Sequence, residues 1–393
     1  MRHFLPTLPL LLLPILGCSS GDTASGAGSS SGSGGGVPAP PWLSDAKILV
    51  SGIDNSNNDD CRTGICRHSE NTDLTEYNGA IYLVHRTAQS QILGPNSSLH
   101  VYRSTDGGRS FTKTAVIPAP TDRDLRDPHF HAVAGELTIK ALTRLPVNST
   151  RDSNVDTIAV STHSPDGASW SPLTNIGPAT WSFWRIKAQG GVYYSAAYED
   201  GDKSVYLFSS TDGTTWTKGA AVYTVAVDTP LETELTFMPS GKLLALVRMD
   251  GTDAELLGTS GRLRTKVCWA DPPYGAFTCP AELDGQRLDG PLSFFHGGRL
   301  FVVARKHLGA DGRKRTALFE IKGDLEGGAI TIEEKGELPS AGDTSYAGVV
   351  PIDKSRSLLS WYAGELPKDE GWVLGIFNIT DIWQGTVDFS KVP

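Results

Sequence analysis

The chain repeats one arrangement of apolar and polar positions along most of its length. An apolar run leads into a polar turn, and a second apolar run follows the turn and often ends in arginine. The copies cover residues 77–86, 133–144, 188–198, 238–248, 295–305 and 352–362. Two short apolar runs joined by a tight polar turn are typical of a β-hairpin. The pattern therefore predicts one hairpin per copy.

The turns recur with a steady period. In five copies the turn contains a glycine, and Gly79, Gly135, Gly191, Gly241 and Gly298 follow one another at intervals of 56, 56, 50 and 57 residues. The sixth turn, near Ser355, lacks the glycine and lies a further 57 residues on. Strand signals with such a period are typical of propeller blades. We predict an all-β protein, a six-bladed β-propeller of four-stranded antiparallel blades, with a β-sandwich as the alternative.

A second repeat overlies the first. Residues 104–111, 164–170 and 210–216 each read Ser-x-Asp-Gly and end in an aromatic residue. Asp-Gly between strands favours a hairpin, because glycine adopts positive φ and aspartate binds backbone N–H groups. The three copies resemble the Asp-boxes (BNR repeats) of the sialidase, or neuraminidase, superfamily. The resemblance covers residues 40–393 and implies that Asp106, Asp166 and Asp212 are structural and face away from the active site.

The beginning of the chain predicts export. Residues 1–17 contain an apolar run of signal-peptide length, and Ile-Leu-Gly before Cys18 resembles a bacterial lipobox. This resemblance implies cleavage before Cys18 and a lipid on its sulfur; an ordinary signal peptide is the alternative. Residues 18–39 are rich in Ser and Gly, typical of a flexible tether. We expect a lipid-anchored protein of the outer membrane or cell surface, with residues 40–393 as its single domain.

The other four cysteines fit an oxidising compartment, where an even number favours disulfides. The nearest-neighbour pairing is Cys61–Cys66 and Cys268–Cys279. A metal site is the alternative, but the two pairs lie about 200 residues apart and no histidine has ligand spacing near them. We expect no metal and no cofactor.

Composition narrows the classes of partner. The 393 residues are 39% hydrophobic and 20% charged, which is enough apolar material for a packed core. A net charge of −9 argues against nucleic acid as a partner, since nucleic-acid-binding proteins usually have a basic face. We expect a monomer whose partner is a glycan or polysaccharide and which contacts the membrane through the lipid alone.

Polar residues recur where each blade's first strand is expected to begin, and such positions converge on one end of a propeller. They are Arg67, His68 and Asp73; Arg126, Asp127 and His129; Trp184 and Arg185; Glu232 and Glu234; and Asp343 and Tyr346.

Arginines also end several second strands, among them Arg86, Arg248 and Arg305. Converging guanidinium groups repel one another unless anions balance them, and they suit a substrate carboxylate because each can donate two parallel hydrogen bonds. A metal-binding role for the histidines is the alternative to contacts with sugar hydroxyls.

The sialidase resemblance implies roles for some of these residues. Tyr346 resembles the tyrosine nucleophile, Glu232 the glutamate that activates it, and Arg248 and Arg305 two of the three arginines that bind the sugar carboxylate. Alternation places Glu234 on the same face as Glu232, so either glutamate can reach the tyrosine. A phenol beside a base suits an anionic sugar, which would repel a carboxylate nucleophile.

Two features depart from that family's pattern. The first strand lacks the usual Arg-Ile-Pro segment, so Arg67 or Arg86 would supply the remaining arginine. The usual acidic loop also lacks aspartate, which leaves Asp73 or Asp127 as the acid/base.

We therefore expect an exo-acting, sialidase-like glycoside hydrolase for terminal, acidic sugars. The alternatives are a glycan-binding propeller without turnover, with aromatic platforms such as Trp184, and a polysaccharide lyase that uses Tyr346 and a histidine.

Overall fold

The structure is a computed structural model that describes residues 38–54, 60–92, 94–145, 156–199, 203–251, 263–309 and 312–393. These residues form 24 strands and one helix, α1 (Trp372–Gly375). The chain is an all-β propeller built from antiparallel four-stranded units. No helix in the described ranges is long and apolar enough to cross a membrane.

Four blades are separate four-stranded sheets. The second blade contains β6 (Asp124–Val133), β7 (Glu136–Arg144), β8 (Ile158–Ser164) and β9 (Thr174–Asn175). The third contains β10 (Trp181–Gln189), β11 (Val192–Glu199), β12 (Ser204–Ser210) and β13 (Thr217–Thr224). The fourth contains β14 (Thr229–Phe237), β15 (Leu243–Asp250), β16 (Arg264–Ala270) and β17 (Thr278–Asp284). The fifth contains β18 (Asp289–His296), β19 (Arg299–His307), β20 (Lys314–Gly323) and β21 (Ile330–Glu337).

The other two predicted blades are joined in one eight-stranded sheet rather than standing apart. The first blade contains β2 (His68–Tyr77), β3 (Ala80–Ala88), β4 (Ser98–Ser104) and β5 (Thr112–Pro118). The sixth contains β22 (Thr344–Pro351), β23 (Arg356–Gly364), β24 (Thr380–Asp388) and β1 (Leu43–Val50), which pairs with β24. A single parallel pair, His68 with Thr380, connects the two units.

The first strands of successive blades surround the propeller axis. They contact one another in the closed series β2, β6, β10, β14, β18, β22 and back to β2. Each second strand lies between neighbouring blades, so β3 and β15 are buried along their whole length. The apolar runs of the repeat therefore form the cores between blades. For example, Leu246 of the fourth blade and Val302 of the fifth belong to one cluster.

Every first strand contains a β-bulge at the same place. The pairing with the second strand shifts between Glu70 and Asp73, Arg126 and His129, Phe183 and Ile186, Pro230 and Thr233, Asp289 and Leu292, and Ser345 and Gly348. A bulge inserts an extra residue, bends the strand and re-aims side chains. The bulges lie near the end where the first strands begin, which we call the mouth.

The three Asp-Gly turns share one hydrogen-bond pattern at the end opposite the mouth. In the third blade, the Ser210 hydroxyl donates to Asp212 Oδ1 (2.9 Å), which also accepts the N–H groups of Thr214 (2.8 Å) and Thr215 (2.7 Å). Asp106 and Asp166 make equivalent bonds in the first and second blades. These aspartates stabilise turns between third and fourth strands and lie away from the mouth.

The predicted disulfides Cys61–Cys66 and Cys268–Cys279 are both present. Cys18, the signal segment and residues 18–37 of the tether lie outside the described residues.

The segment that closes the sixth blade depends on one tryptophan. Trp42, just before β1, is 2% exposed, and its indole N–H donates to Lys335 O of the fifth blade (2.9 Å). We expect Trp42→Ala to lower the free energy of unfolding by about 3–5 kcal/mol, because it leaves a cavity between two blades. Urea denaturation tests this, with the exposed Ile48→Ala in β1 as control. Equal losses in the two variants would contradict a closing role for Trp42.

Candidate active site

The bulges of the first strands supply the residues at the centre of the mouth. Asp127, Trp184, Glu232 and Tyr346 all lie within them. Two of these four residues have left-handed backbone conformations, with φ of 51° at Asp127 and 46° at Tyr346. Such conformations cost energy in non-glycine residues, so the surrounding structure has to impose them. Regular strands would not orient these side chains in this way.

Tyr346 and Glu232 form a hydrogen-bonded pair. The Tyr346 hydroxyl donates to Glu232 Oε1. Glu232 Oε2 accepts from Arg248 Nη1 (2.8 Å) and from the Gly290 N–H (2.7 Å). Burial and then the Glu232 carboxylate raise the pKa of Tyr346 well above its usual value. The phenol is therefore protonated near pH 7, and a carboxylate is in position to accept its proton.

Gly290 allows the tyrosine ring to lie where it does. A Cβ atom at this position would come within 2.9 Å of Tyr346 Cδ2, and the backbone φ is 58°. Any larger residue would therefore displace the ring and strain the bulge. Trp184 packs edge-on against the Tyr346 ring, and the centroids of the two rings are 5.7 Å apart.

Arg248 and Arg305 flank the phenol, and each is oriented by carboxylates. Arg248 donates through Nε and Nη2 to Asp250 (2.8 and 2.9 Å). Arg305 donates through Nη2 to Asp343 Oδ1 (2.9 Å), and its guanidinium carbon is 5.3 Å from the centroid of the Tyr346 ring. Both cations lower the pKa of Tyr346, but they do not outweigh burial and Glu232.

Arg126 is the third arginine near the phenol. Burial opposes its charge, but the carboxylates of Asp127, Asp124 and Glu70 raise its pKa above the usual value, and Arg126 lies close enough to Tyr346 for the two groups to interact electrostatically. It donates to the Ile92 carbonyl and lies 3.7 Å from Asp127 Oδ2. Arg248 of the fourth blade and Arg305 of the fifth thus flank Tyr346, and Arg126 of the second blade interacts with it electrostatically.

The two candidate acid/base residues have different surroundings. Asp73 is fixed by Arg185 Nη1 (3.0 Å) and by the Phe130 N–H (2.8 Å), and burial raises its pKa. Asp127 Oδ1 has no hydrogen-bond partner among the described residues. Asp127 also lies close enough to Tyr346 for its charge to raise the pKa of the phenol. Asp127 is therefore the candidate whose carboxylate is held by fewer hydrogen bonds, although its Oδ1 is buried.

Neither arginine expected to supply the missing family residue lies in the pocket. Arg86 is fully buried, and all three nitrogens of its guanidinium group donate hydrogen bonds. The acceptors are Glu70 Oε2 (2.7 Å), Asp124 Oδ1 (2.9 Å) and Ser90 O (2.8 Å). Arg67 lies further out, where it donates to Asp54 Oδ1 (2.5 Å) and Phe377 O (2.8 Å). The structure thus gives both arginines protein partners away from Tyr346, and Arg126 is the remaining candidate arginine whose charge interacts with Tyr346.

Three other candidates pack beneath the site. Trp184 is buried and donates to Pro291 O (3.3 Å), so it is no sugar platform. Glu234 accepts from the Ser293 N–H and hydroxyl (3.0 Å each) and from Lys187 Nζ (2.7 Å), so it is not the partner of Tyr346. Arg185 is held by Asp73 and by Ala347 O (2.6 Å).

The two candidate histidines are also buried. His68 Nδ1 lies 3.1 Å from Glu70 Oε1. Burial lowers the pKa of His129 well below its usual value, so this ring is neutral, and it packs edge-on against Trp184. Among the described residues, no group of three or more His, Cys, Asp or Glu side chains is arranged to hold a metal.

A network of buried charges lies behind Arg248. Asp289 accepts from Arg287 Nε (2.8 Å) and from His307 Nε2 (2.9 Å), and Lys314 Nζ lies 2.5 Å from His307 Nδ1. Burial lowers the pKa of His307 to about 4, so the ring is neutral near pH 7. Its Nε2–H then donates to Asp289, while Nδ1 accepts from the lysine. Sequence reasoning missed these roles.

Lys140 is a second residue that sequence reasoning missed. It is fully buried in β7, and its Nζ has no hydrogen-bond partner among the described residues. Asp127, Glu232 and Asp73 all attract its charge. A lysine in the middle of the apolar run of residues 137–142 was the available signal.

The site is narrow. Tyr346, Arg248 and Arg305 are 8%, 7% and 5% exposed. A cavity of about 530 Å³ lies elsewhere, beside the Asp106 turn, where Lys47 and Arg356 line it. Its position at the opposite end separates it from the charged groups described above.

The fold is shared with solved structures of carbohydrate-active enzymes. The NanB sialidase from Streptococcus pneumoniae matches with a TM-score of 0.60 and 10% identity, over 88% of this chain and 71% of that one. Trypanosoma rangeli sialidase in complex with sialic acid matches with a TM-score of 0.60 and 12% identity, over 90% and 60%. Penicillium chrysogenum α-L-arabinanase complexed with arabinobiose matches with a TM-score of 0.58 and 15% identity, over 90% and 100%.

These structural neighbours, sialidases and an arabinanase, have a propeller-like fold in common with this chain. At such identities the likeness shows the fold alone. The chain spans 60% of the Trypanosoma enzyme and 71% of the Streptococcus enzyme. Its sequence matches no protein-family model and no curated protein.

The buried amine of Lys140 predicts a pH dependence of stability. Burial lowers its pKa from 10.5 to about 7. Between these values the unfolded chain binds more protons than the folded chain, so stability rises with pH. We expect Lys140→Met to reduce the slope of the free energy of unfolding against pH by up to about 1.4 kcal/mol per pH unit.

Urea denaturation from pH 7 to 10 measures the slope, with the exposed Lys354→Met as control. Lys314, whose pKa burial also lowers to about 7, leaves part of the slope in place. An unchanged slope in Lys140→Met would show that Lys140 titrates normally.

Proposed function

We propose that the protein is a retaining exo-glycoside hydrolase that removes terminal, acidic sugars from glycans. The observation that supports this most strongly is the hydrogen bond from the Tyr346 hydroxyl to Glu232, which Arg248 and Arg305 flank and to which Arg126 is electrostatically linked. A phenol beside a carboxylate is an activated nucleophile, and the arginines favour a substrate that bears a carboxylate. The sialidases and the arabinanase of the same fold add support for a sugar substrate.

The first step would form a glycosyl–tyrosine bond. The Tyr346 oxygen attacks the anomeric carbon while Glu232 accepts the phenolic proton. The bond from the anomeric carbon to the leaving oxygen breaks, and Asp127 donates a proton to that oxygen. In the second step Asp127 takes a proton from water, the water oxygen bonds to the anomeric carbon, and Tyr346 leaves and regains its proton from Glu232.

Arg126, Arg248 and Arg305 would hold the sugar carboxylate. Their present partners are side-chain carboxylates and backbone carbonyls, so a substrate carboxylate would share or replace these hydrogen bonds. This arrangement also keeps the guanidinium groups in position when the pocket is empty, which lowers the cost of binding.

We further propose that the protein is exported and lipid-anchored through Cys18, with residues 18–39 as a tether and a monomeric propeller outside the membrane. The support is the lipobox-like sequence and the two disulfides, which are typical of exported proteins. We expect Cys18→Ala to abolish labelling of the protein by a fatty-acid probe in cells, whereas globomycin, which blocks cleavage before the lipid-bearing cysteine, should leave an uncleaved precursor in the membrane fraction.

A panel of 4-methylumbelliferyl glycosides that includes the sialoside tests the function. We expect release from an acidic sugar, with kcat/KM reduced by about 10²–10⁴-fold in Glu232→Gln, since general-base assistance is worth that much. Tyr346→Phe should lose at least as much, because it removes the nucleophile. Glu234→Gln is the matched control and should retain activity in proportion to folded protein.

The acid/base assignment has its own test. Asp127→Asn should impair substrates with poor leaving groups far more than those with good ones, because only the former need a proton. Asp73→Asn should lower stability without this dependence. The reverse result would move the role to Asp73, and a folded protein inactive on every sugar would refute the hydrolase.

A further inference from the structure

One buried carboxylate lies behind two of the pocket arginines. Asp289 Oδ1 is 3.2 Å from Arg248 Nε, and Asp289 Oδ2 is 3.8 Å from Arg305 Nη1. The next residue along the chain, Gly290, donates its N–H to Glu232 Oε2 (2.7 Å). Asp289 is only 1% exposed, so protein groups rather than water balance its charge. A change in how this charge is shared therefore reaches both arginines that flank the phenol.

A histidine and a lysine continue the network beyond Asp289. The Nε2–H of neutral His307 donates to Asp289 Oδ2 (2.9 Å), and Lys314 Nζ lies 2.5 Å from His307 Nδ1. Because a lysine amine can only donate here, the imidazole accepts at Nδ1 and donates at Nε2. Hydrogen bonds in such a chain polarise one another. A charged Lys314 therefore strengthens the bond from His307 to Asp289.

Strand pairing in the fifth blade explains why these side chains meet. Asp289 of β18 lies opposite Arg305 of β19, and His307 of β19 lies opposite Lys314 of β20. Arg305 and His307 are two residues apart, so they project from the same face of their strand. The result is a continuous series of contacts across three strands, from Lys314 to the pocket.

Lys314 lies in a strongly charged environment. The charged and titratable groups that face it are His307 and Arg305 on β19, Asp289 on β18, Arg287 before β18, and Arg248 on β15. Burial lowers the pKa of Lys314 from 10.5 to about 7; Asp289 opposes this shift, and the three arginines add to it. A further anion nearby would favour the charged amine.

We propose that Lys314 is a positioning residue for substrate binding, which acts through His307 and Asp289 to set how tightly Arg248 and Arg305 hold the acidic group of a sugar. This rests on the proposed function, which supplies the acidic sugar. When Lys314 is charged, His307 binds Asp289 more strongly, and the arginines share less of the Asp289 charge. Their N–H groups are then better donors to a substrate carboxylate.

The proposal gives binding a defined pH dependence. A bound carboxylate favours the charged amine, so the pKa of Lys314 is higher in the complex than in the free protein. Affinity for an acidic sugar is therefore highest below about pH 7, where the free protein already carries the proton. It falls as the pH rises above this value, because binding then requires the uptake of a proton.

Calorimetry with methyl α-sialoside at pH 6 to 8.5 tests this, on Tyr346→Phe so that turnover does not interfere. We expect Lys314→Met, added to this background, to remove a fall in affinity of about three- to tenfold, the effect of one charge acting through a partly screened interior. Lys140 is present in both proteins, so their difference isolates Lys314. The methyl ester of the same sialoside, which has no charge, should lack this part of the fall.

Substitutions of His307 separate the hydrogen-bonded chain from a structural role. His307→Gln retains one donor and one acceptor and should preserve the pH dependence, whereas His307→Leu should lose it. The exposed Lys354→Met is the matched control for the loss of a lysine and should behave as the background protein does. A pH dependence that Lys314→Met leaves unchanged, or that the ester shares in full, would overturn the proposal.

Proton uptake provides a second readout, which a merely structural role would not change. Calorimetry at pH 7.5 in phosphate and in Tris, whose ionisation enthalpies differ, gives the number of protons taken up when methyl α-sialoside binds. We expect net uptake that Lys314→Met reduces, and equal uptake in the two proteins would contradict the positioning role. No binding of the sialoside at any pH would instead refute the acidic-sugar pocket, and the positioning role with it.

Discussion

The bulge that interrupts each first strand is the constraint on which the site depends. A regular strand at the propeller axis would alternate its side chains between the two neighbouring blades. The six bulges break that alternation at one level of the axis, where Glu232 and Tyr346 form a hydrogen bond and Asp127 lies close enough for its charge to act on Tyr346, although their blades are far apart in the sequence. Left-handed backbone at Asp127 and Tyr346 accompanies this arrangement. The blade cores hold it, because they bury the second strands on both faces.

Charge balance is the second requirement of such a site. Arginines packed this closely would repel one another in a buried setting, so each is matched by carboxylates, as Arg248 is by Asp250 and Glu232. The same ion pairs and hydrogen bonds also distinguish the two carboxylates of the proposed reaction. Glu232 is shared between Arg248 and Tyr346, which fixes the proposed base in place, whereas Asp127 keeps a buried oxygen without a partner in the described part of the chain. The proposed two-step reaction requires a fixed base and an acid that is not already engaged.

Periodic features were readable from the sequence, and contacts between blades were not. The glycine turns predicted the hairpins, and the Ser-x-Asp-Gly repeats predicted turns at the end away from the mouth. The union of the first and sixth blades in one sheet was missed, because it depends on a single pairing across 312 residues, His68 with Thr380. Arg86 looked like a pocket residue because it ends a second strand as Arg248 does. Only the structure shows that Asp124, from the next blade, binds it in the interior.

In the proposed reaction Tyr346 forms the bond to the sugar. To test this, the protein is incubated with a fluorinated glycoside of its preferred sugar, whose second step is slow, and the added mass is located by peptide mass spectrometry. We expect one sugar per chain, attached to the peptide that contains Tyr346, and no label in Tyr346→Phe. A label on Asp127 or Glu232, or turnover with inversion and no label, would contradict it.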